Sequence, residues 1–435
     1  MTSDLNIIGS GLTGPLLSRI LALKHNYTVS MYEKSPDCRI SKIYSGRSIN
    51  LALSSRGIKA LQYAEVFDKY FESRLIPMYG RTIHTKDGKK IFQPYSNKKE
   101  HFINSISRSD INKILLNAAE KTNRIKLNFN TKCDKVDLDN NRIHFGKNII
   151  DVQSPIIGAD GYKSVVSNAI SKKQKTKVNY LDIEHSYKEL NVDPKNNEFQ
   201  LEPNSLHIWP RRDMMMIALP NLDKSFTCTL FMKSKGSESF YSIKTDDNLM
   251  EFFEENFNDL IPLIKNLPKI YFGNPVGKLI GVNAPFWHYR DKALILGDAA
   301  HATVPFYGQG MNSAFEDCHV FSKIIDDNQG SSWENIFNQY SINRKEDADT
   351  VLKLSMQNYK VMRNDVLDSK FLDRQKLSFL LNDEYPDQFI PIYTMVSFTS
   401  IPYAKALKRS EIQDYIINEL LLDDNLNDVN DYNKD

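Results

Sequence analysis

The stretch DLNIIGSGLTGPLLSRILALKHNYTVSMYEK, residues 4–34, constrains the fold most. Leu5, Ile7 and Ile8 read as a short buried strand, and Gly9, Gly11 and Gly14 follow it as G-x-G-x-x-G. An amphipathic helix is expected from Pro15 to about Lys24, with Leu16, Leu17, Ile20 and Leu21 on one side. A second strand, TVSMYE, ends on Glu33. Each glycine has a physical task. Gly9 permits the tight turn, Gly11 lets the backbone approach a pyrophosphate, and Gly14 lets the helix pack on the strand. The helix start offers unpaired N–H groups to phosphates. Glu33 is placed to accept hydrogen bonds from a ribose diol, and its charge would repel a 2′-phosphate. The ligand is therefore a dinucleotide, FAD or NAD.

A second stretch, GDAAHATVPFYGQGMNSAFEDC at 297–318, separates the two. Its strand, KALIL, ends at Gly297-Asp298, where ligands of open α/β sheets bind. A carboxylate there can hold the several hydroxyls of a ribitol. Gly308, Gln309, Gly310, Met311 and Asn312 then open a helix, with Met311, Ala314, Phe315, Cys318 and Phe321 on its apolar face. The partial positive charge of that helix start suits the anionic edge of a reduced flavin. Together with the first turn, this favours FAD. His301 reads as a packed structural histidine and is given no chemical role.

Two further pieces belong with these. GADG at 158–161 places Asp160 in a glycine-flanked turn, where it can hold a loop through backbone bonds. SISRSDINKILLNAAE at 105–120 is helical, with Ser107 or Ser109 as cap and Arg108 within reach of FAD phosphate or ribitol.

The nucleotide-binding pieces are dispersed, so one domain must be assembled from separated segments. The expectation is an α/β (α+β) fold. A discontinuous Rossmann-like FAD-binding domain would take residues 1–75, 99–175 and 276–330. An inserted, mainly antiparallel β-sheet substrate domain would take 76–98 and 176–275. A C-terminal helical region would cover 331–422, with a flexible tail at 423–435. There is no second G-x-G-x-x-G, so a nicotinamide cofactor would bind transiently. With 56 Lys+Arg against 54 Asp+Glu, the net charge of +2 gives no general pull toward nucleic acid or anionic membrane. Cys38, Cys133, Cys228 and Cys318 form no C-x-x-C pair, so no metal site is expected, and a reducing compartment suits them. No signal peptide is read before Asp4. No window approaches the roughly 18 apolar residues of a spanning helix, so a soluble cytoplasmic monomer or homodimer is expected.

These motifs resemble the class A flavoprotein aromatic hydroxylases, and within them the kynurenine 3-monooxygenase family. The resemblance rests on GRSINLALSSRG at 46–57, YGRTIHTKDGK at 79–89, SISRSDIN at 105–112, HIWPRRDMMMIALPNLDKSFTCTLF at 207–231, the 297–318 stretch, and FIPIYTMVSFTSIPYAKA at 389–406. It covers nearly the whole chain. It implies FAD as cofactor, NADPH and O2 as co-substrates, and hydroxylation of L-kynurenine to 3-hydroxy-L-kynurenine through a flavin C4a-hydroperoxide. No side chain need act as nucleophile. It also implies that Arg81 and Tyr95 bind the amino-acid carboxylate, with Tyr403 as a second tyrosine. Phe306 and Tyr307 would lie beside the substrate ring, and Phe231 would line the pocket. On the cofactor side it adds Leu12, Thr13, Lys34, Arg47 and Ala52 to Gly9, Gly11, Gly14, Glu33, Arg108, Asp160, Asp298, Gly310, Met311 and Asn312. One position departs from the family pattern. Where an asparagine usually binds the amino-acid end, YKVMRNDVLDSKFL places Leu367, with Asp368 next. Either Asp368 serves instead, or that contact is missing.

The competing readings are a related hydroxylase of another aromatic acid, a halogenase, a non-catalytic FAD sensor and an NAD dehydrogenase. The halogenase reading lacks its W-x-W signature, since Trp209 in HIWPR has no tryptophan partner.

Overall fold

The structure, a computed structural model, describes residues 4–40 and 50–422. Arg47 and the 423–435 tail lie outside the described residues. The chain sorts into two compact units. The first is Met1–Leu75, Ile106–Ile183 and Ile280–Ser355; the second is Ile76–Ser105, Glu184–Leu279 and Met356–Asp435. The long helix Trp333–Arg363 is shared between them.

The first unit is built on a six-stranded sheet. Its order is His288–Tyr289, Ala293–Ile295, Ile156–Gly158, Leu5–Ile8, Val29–Tyr32 and Ile125–Asn128. All pairings are parallel except the His288–Tyr289 edge. Parallel strands covered on both faces read as continuous apolar runs, as ALI does. The helix Thr13–His25 packs on this sheet with Leu16, Leu17, Ile20 and Leu21 wholly buried. Each such side chain contributes roughly 1.5–3 kcal/mol relative to exposure. Ala293–Ile295, Ile156–Gly158 and Leu5–Ile8 are adjacent and parallel. Their carboxyl-end turns, which carry Asp298, Asp160 and the glycine fingerprint, therefore emerge side by side. Three sequence stretches separated by more than a hundred residues meet for this reason.

The second unit contains five neighbouring strands of one sheet, in the order Phe226–Lys233, Met214–Pro220, Ser205–Arg211, Gly80–His84 and, at the edge, Lys90–Pro94. It is mainly antiparallel, with one parallel pairing between Gly80–His84 and Ser205–Arg211. Strand alternation sorts its side chains into two faces. Trp209, Met216, Ala218, Cys228, Leu230 and Met232 pack against the helices Asp246–Asn256 and Leu267–Gly273. The register sends Arg81, Gln93, Ile208, Met215 and Phe231 to the opposite face. Three helices follow the Trp333–Arg363 helix among the described residues: Ser369–Glu384, Ile392–Phe398 and Tyr403–Leu422.

Candidate functional site

The first turn is shaped by contacts that only glycine allows. Gly9 has φ +102, and a Cβ there would meet the Ala159 carbonyl oxygen at 2.4 Å. A Cβ on Gly14 would meet the Gly9 carbonyl oxygen at 2.1 Å, which fixes the approach of helix to strand. At Gly11 a Cβ would point into open space, with nothing among the described residues within 4 Å. A ligand can therefore reach that backbone. Glu33 follows the second strand and is held in place from two sides. It accepts from the Ser10 N–H (2.8 Å) through one oxygen and the Ser35 N–H (2.9 Å) through the other. The oxygen that meets Ser35 keeps acceptor capacity for a ribose hydroxyl, whereas the other also accepts from the Ser10 hydroxyl at 3.3 Å. Leu12 and Thr13 are half-buried at the helix start, and Lys34 is exposed.

Asp298 begins a short helix, Asp298–His301, immediately after Gly297. The carboxylate is exposed, yet protein surrounds it closely enough that desolvation raises its pKa, partly offset by the charges of His301 and Arg108. The carboxylate accepts no hydrogen bond among the described residues. Arg108, exposed at the start of the helix Arg108–Glu120, supplies an opposing charge. Ser107, rather than Ser109, caps that helix by accepting from the Asp110 N–H at 3.3 Å. Asp160 holds its loop as the GADG pattern suggests: its Oδ2 accepts from the Val165 N–H at 2.7 Å. Its Oδ1 is buried without a partner among the described residues, and burial raises its pKa.

The helix Gly310–Asp327 starts without a side-chain cap. Its first N–H groups have no intrahelical partner and remain available to an electron-rich ligand edge. The Asn312 side chain is fully buried and committed to the frame. It donates to the Ala52 carbonyl (2.8 Å) and the Gly308 carbonyl (2.7 Å), and accepts from the Ser54 N–H (2.9 Å). Any role of Asn312 toward a cofactor therefore runs through its backbone. Met311 is half-buried beside it. Phe306 and Tyr307 are both buried in the turn Pro305–Tyr307 before this helix, in the first unit. These residues fit FAD: open space at Gly11, a free carboxylate for hydroxyls and an uncapped helix start.

Behind this turn lies a group that the sequence reading missed. Asp317 is fully buried. Its Oδ2 accepts from the Gly297 N–H (2.9 Å) and meets His301 Nε2 (2.5 Å), and its Oδ1 accepts from Arg344 Nε (3.0 Å). Arg344 also pairs with Glu316 (3.1 Å), which pairs with Arg56 (2.7 Å). Burial works to raise the Asp317 pKa, but the His301 and Arg344 charges and the hydrogen bonds win and lower it to about 2. The network pins Gly297, at φ +57, and hence the direction of Asp298. The signal was present: Asp317 shares the apolar stripe of Ala314, Cys318 and Phe321, where a carboxylate needs a partner.

In the second unit, Arg81 is 9% exposed, and among the described residues no carboxylate pairs with it. Its guanidinium stands 5.6 Å from the Tyr95 ring and 5.2 Å from the Tyr393 ring. Those rings stack at 4.7 Å. Arg81 and Gln93 are cross-strand neighbours, and Tyr95 follows two residues on, so strand alternation brings all three to one face. The Tyr95 hydroxyl and Gln93 Oε1 are buried without partners of good geometry. Burial pushes the Tyr95 pKa well above its usual value, Tyr393 adds to this and Arg81 offsets part of it. Tyr95 is therefore a neutral donor. Tyr393, from the short helix Ile392–Phe398, was not read from the sequence. Tyr403 is fully buried at the start of the last helix, and Phe231 is 2% exposed. Asp368 is exposed and caps the helix Ser369–Glu384 by accepting from the Lys370 N–H at 2.9 Å. Leu367 lies in the preceding turn, whose Val366 carbonyl accepts from Gln93 Nε2 at 2.8 Å.

Residues 284–355 match the FAD binding domain family. The kynurenine 3-monooxygenase of Cytophaga hutchinsonii is 39% identical over 427 residues, covering 97% of this chain and 94% of that protein. The chain belongs to the kynurenine 3-monooxygenase family. The Flavobacterium johnsoniae enzyme is 41% identical over 431 residues, covering 97% and 95%, and that of Dictyostelium discoideum 37% over 434 residues, covering 97% and 94%. Among solved structures, the tetrameric form of 2-methyl-3-hydroxypyridine-5-carboxylic acid oxygenase has a TM-score of 0.68 at 18% identity, covering 86% of this chain and 95% of that one. CtdE, solved with FAD and its substrate 4, has a TM-score of 0.69 at 15% identity, covering 97% and 100%. At such identities these two speak for the fold alone. Among the described residues of this kynurenine 3-monooxygenase family member, no helix is long and apolar enough to cross a membrane.

Proposed function

We propose that this protein is an FAD-dependent monooxygenase that hydroxylates L-kynurenine to 3-hydroxy-L-kynurenine, using NADPH and O2. The observation that carries the substrate reading is Arg81: a guanidinium nearly excluded from water, flanked by two phenols, with no carboxylate partner among the described residues. An unpaired buried charge is costly, and an amino acid's carboxylate relieves the cost bidentately.

Bound FAD supplies the redox and oxygen-transfer chemistry. The protein's own groups bind and orient. The N–H groups at Gly11 and Leu12 would meet the pyrophosphate, Glu33 the ribose hydroxyls and Asp298 the ribitol. Arg108 would offset phosphate charge. The N–H groups at Gly310 to Asn312 would stabilise negative charge on the flavin edge without a lysine. Arg81, assisted by Tyr95 as a neutral donor, would hold the carboxylate. One fixed end then decides which ring carbon is presented. Tyr393 would restrict the guanidinium plane, and Tyr403 would back the same helical segment.

The test is a panel of aromatic acids and amino acids scored for substrate-stimulated NADPH consumption coupled to hydroxylated product. L-Kynurenine is expected to be preferred over analogues lacking the carboxylate. A panel in which carboxylate-free anilines react equally well would remove Arg81 from the argument.

A further inference from the structure

The sequence singled out SISRSDIN for Arg108 and its serine caps, and passed over Asn112. Yet Asn112, one turn into the helix Arg108–Glu120, donates through Nδ2 to the carbonyls of Ser10 (3.1 Å) and Gly11 (2.6 Å). Those two carbonyls can only accept, which fixes Nδ2 as the end of the amide facing the loop, and Oδ1 accepts from the Cys38 thiol at 3.3 Å. A trans peptide is planar, with its C=O and N–H on opposite sides. Holding the Ser10 carbonyl therefore turns the Gly11 N–H away from Asn112, and holding the Gly11 carbonyl does the same for the Leu12 N–H. Neither N–H donates to a backbone carbonyl among the described residues, whereas those before them do have partners: Gly9 on the Tyr32 carbonyl and Ser10 on Glu33. The two unpaired donors thus lie on the side of the turn away from Asn112, at the glycine whose Cβ position is open.

We propose that Asn112 is a positioning residue for the cofactor: it presets two adjacent backbone donors as an anion nest for the FAD pyrophosphate. It touches no phosphate itself and acts through the Ser10–Leu12 backbone. The proposal rests on the reading that this turn binds FAD.

The test removes the donors without adding charge, in Asn112→Leu and, with less bulk, Asn112→Ala. FAD and riboflavin, which lacks the phosphates, are titrated into the apoprotein by flavin fluorescence quenching, and the melting temperature of the apoprotein is recorded. Expected is an FAD affinity weakened about tenfold, as when the binding-competent turn falls to about a tenth of the population, with riboflavin affinity and apoprotein melting unchanged. If FAD and riboflavin weaken together, or apoprotein melting falls in step, Asn112 is a general brace and the proposal is overturned. Equal FAD affinity in parent and variants overturns it as well. A parent that binds riboflavin and FAD equally, or neither, overturns the pyrophosphate reading of the turn itself, which is a separate failure.

Discussion

Replacing Asp317 by Asn tests whether the buried network behind the Gly297 turn holds the cofactor loop. The carboxyl sits at about 2 in place of its ordinary 3.8. That difference corresponds to about 2 kcal/mol of stability at neutral pH. Breaking a buried ion pair outright costs ~3–5 kcal/mol. The lower part of the range applies, because Arg344 keeps Glu316 at 3.1 Å and Asp347 at 3.4 Å. The introduced amide oxygen can also still accept one bond from the Gly297 N–H. We expect Asp317→Asn to lose about 2–3 kcal/mol in urea unfolding of the apoprotein at pH 7. Trp287, stacked on His301 at 5.3 Å, gives a local fluorescence probe beside far-UV circular dichroism. The pH dependence has a definite sign. A depressed carboxyl stabilises above its ordinary pKa and loses that contribution as pH falls through its folded value. The gap between parent and variant should be constant from pH 7 to about 5 and narrow from about 4 toward 2. No gap at pH 7, or one that widens on acidification, would refute the assignment of charge to Asp317.

Other outcomes follow from single distances or charges. Arg81→Ala should raise the KM for kynurenine roughly a hundredfold or more, the worth of two charge-assisted hydrogen bonds, with FAD content unchanged; unchanged substrate affinity would place the carboxylate elsewhere. Gly14→Ala puts a Cβ 2.1 Å from the Gly9 carbonyl oxygen, with backbone on both sides. It should abolish FAD retention and lower the melting temperature, and normal flavin content would contradict that packing. Asp298→Asn should separate two effects of opposite sign. Removing a desolvated charge should leave apoprotein melting unchanged or higher, while FAD affinity falls about tenfold; parallel losses of both would make Asp298 structural.

The elements with strong periodicity and glycine chemistry were legible in the sequence. Gly9, Gly11 and Gly14 each show the contact, or open space, that their spacing called for, because backbone sterics act locally. Asp160 likewise holds its loop by a backbone bond. What could not be read depends on long-range register. That Arg81, Gln93 and Tyr95 share a face required the pairing of two strands. Tyr393 reads as an ordinary core residue until the fold stacks it on Tyr95. That the Asn312 amide braces the Ala52 strand, leaving only its backbone for a cofactor, depends on a strand 260 residues away. Asn112 had no local signature, because its partners are backbone carbonyls a hundred residues away. Asp317 could have been found, as a carboxylate on an apolar helical stripe.

The most direct measurement supplies the FAD-loaded protein with L-kynurenine, NADPH and isotopically labelled dioxygen, and analyses the product by mass spectrometry. The account predicts 3-hydroxy-L-kynurenine carrying one labelled oxygen atom, with NADPH oxidation that depends on kynurenine. Kynurenine recovered intact while NADPH is consumed at the same rate with or without it would contradict the account.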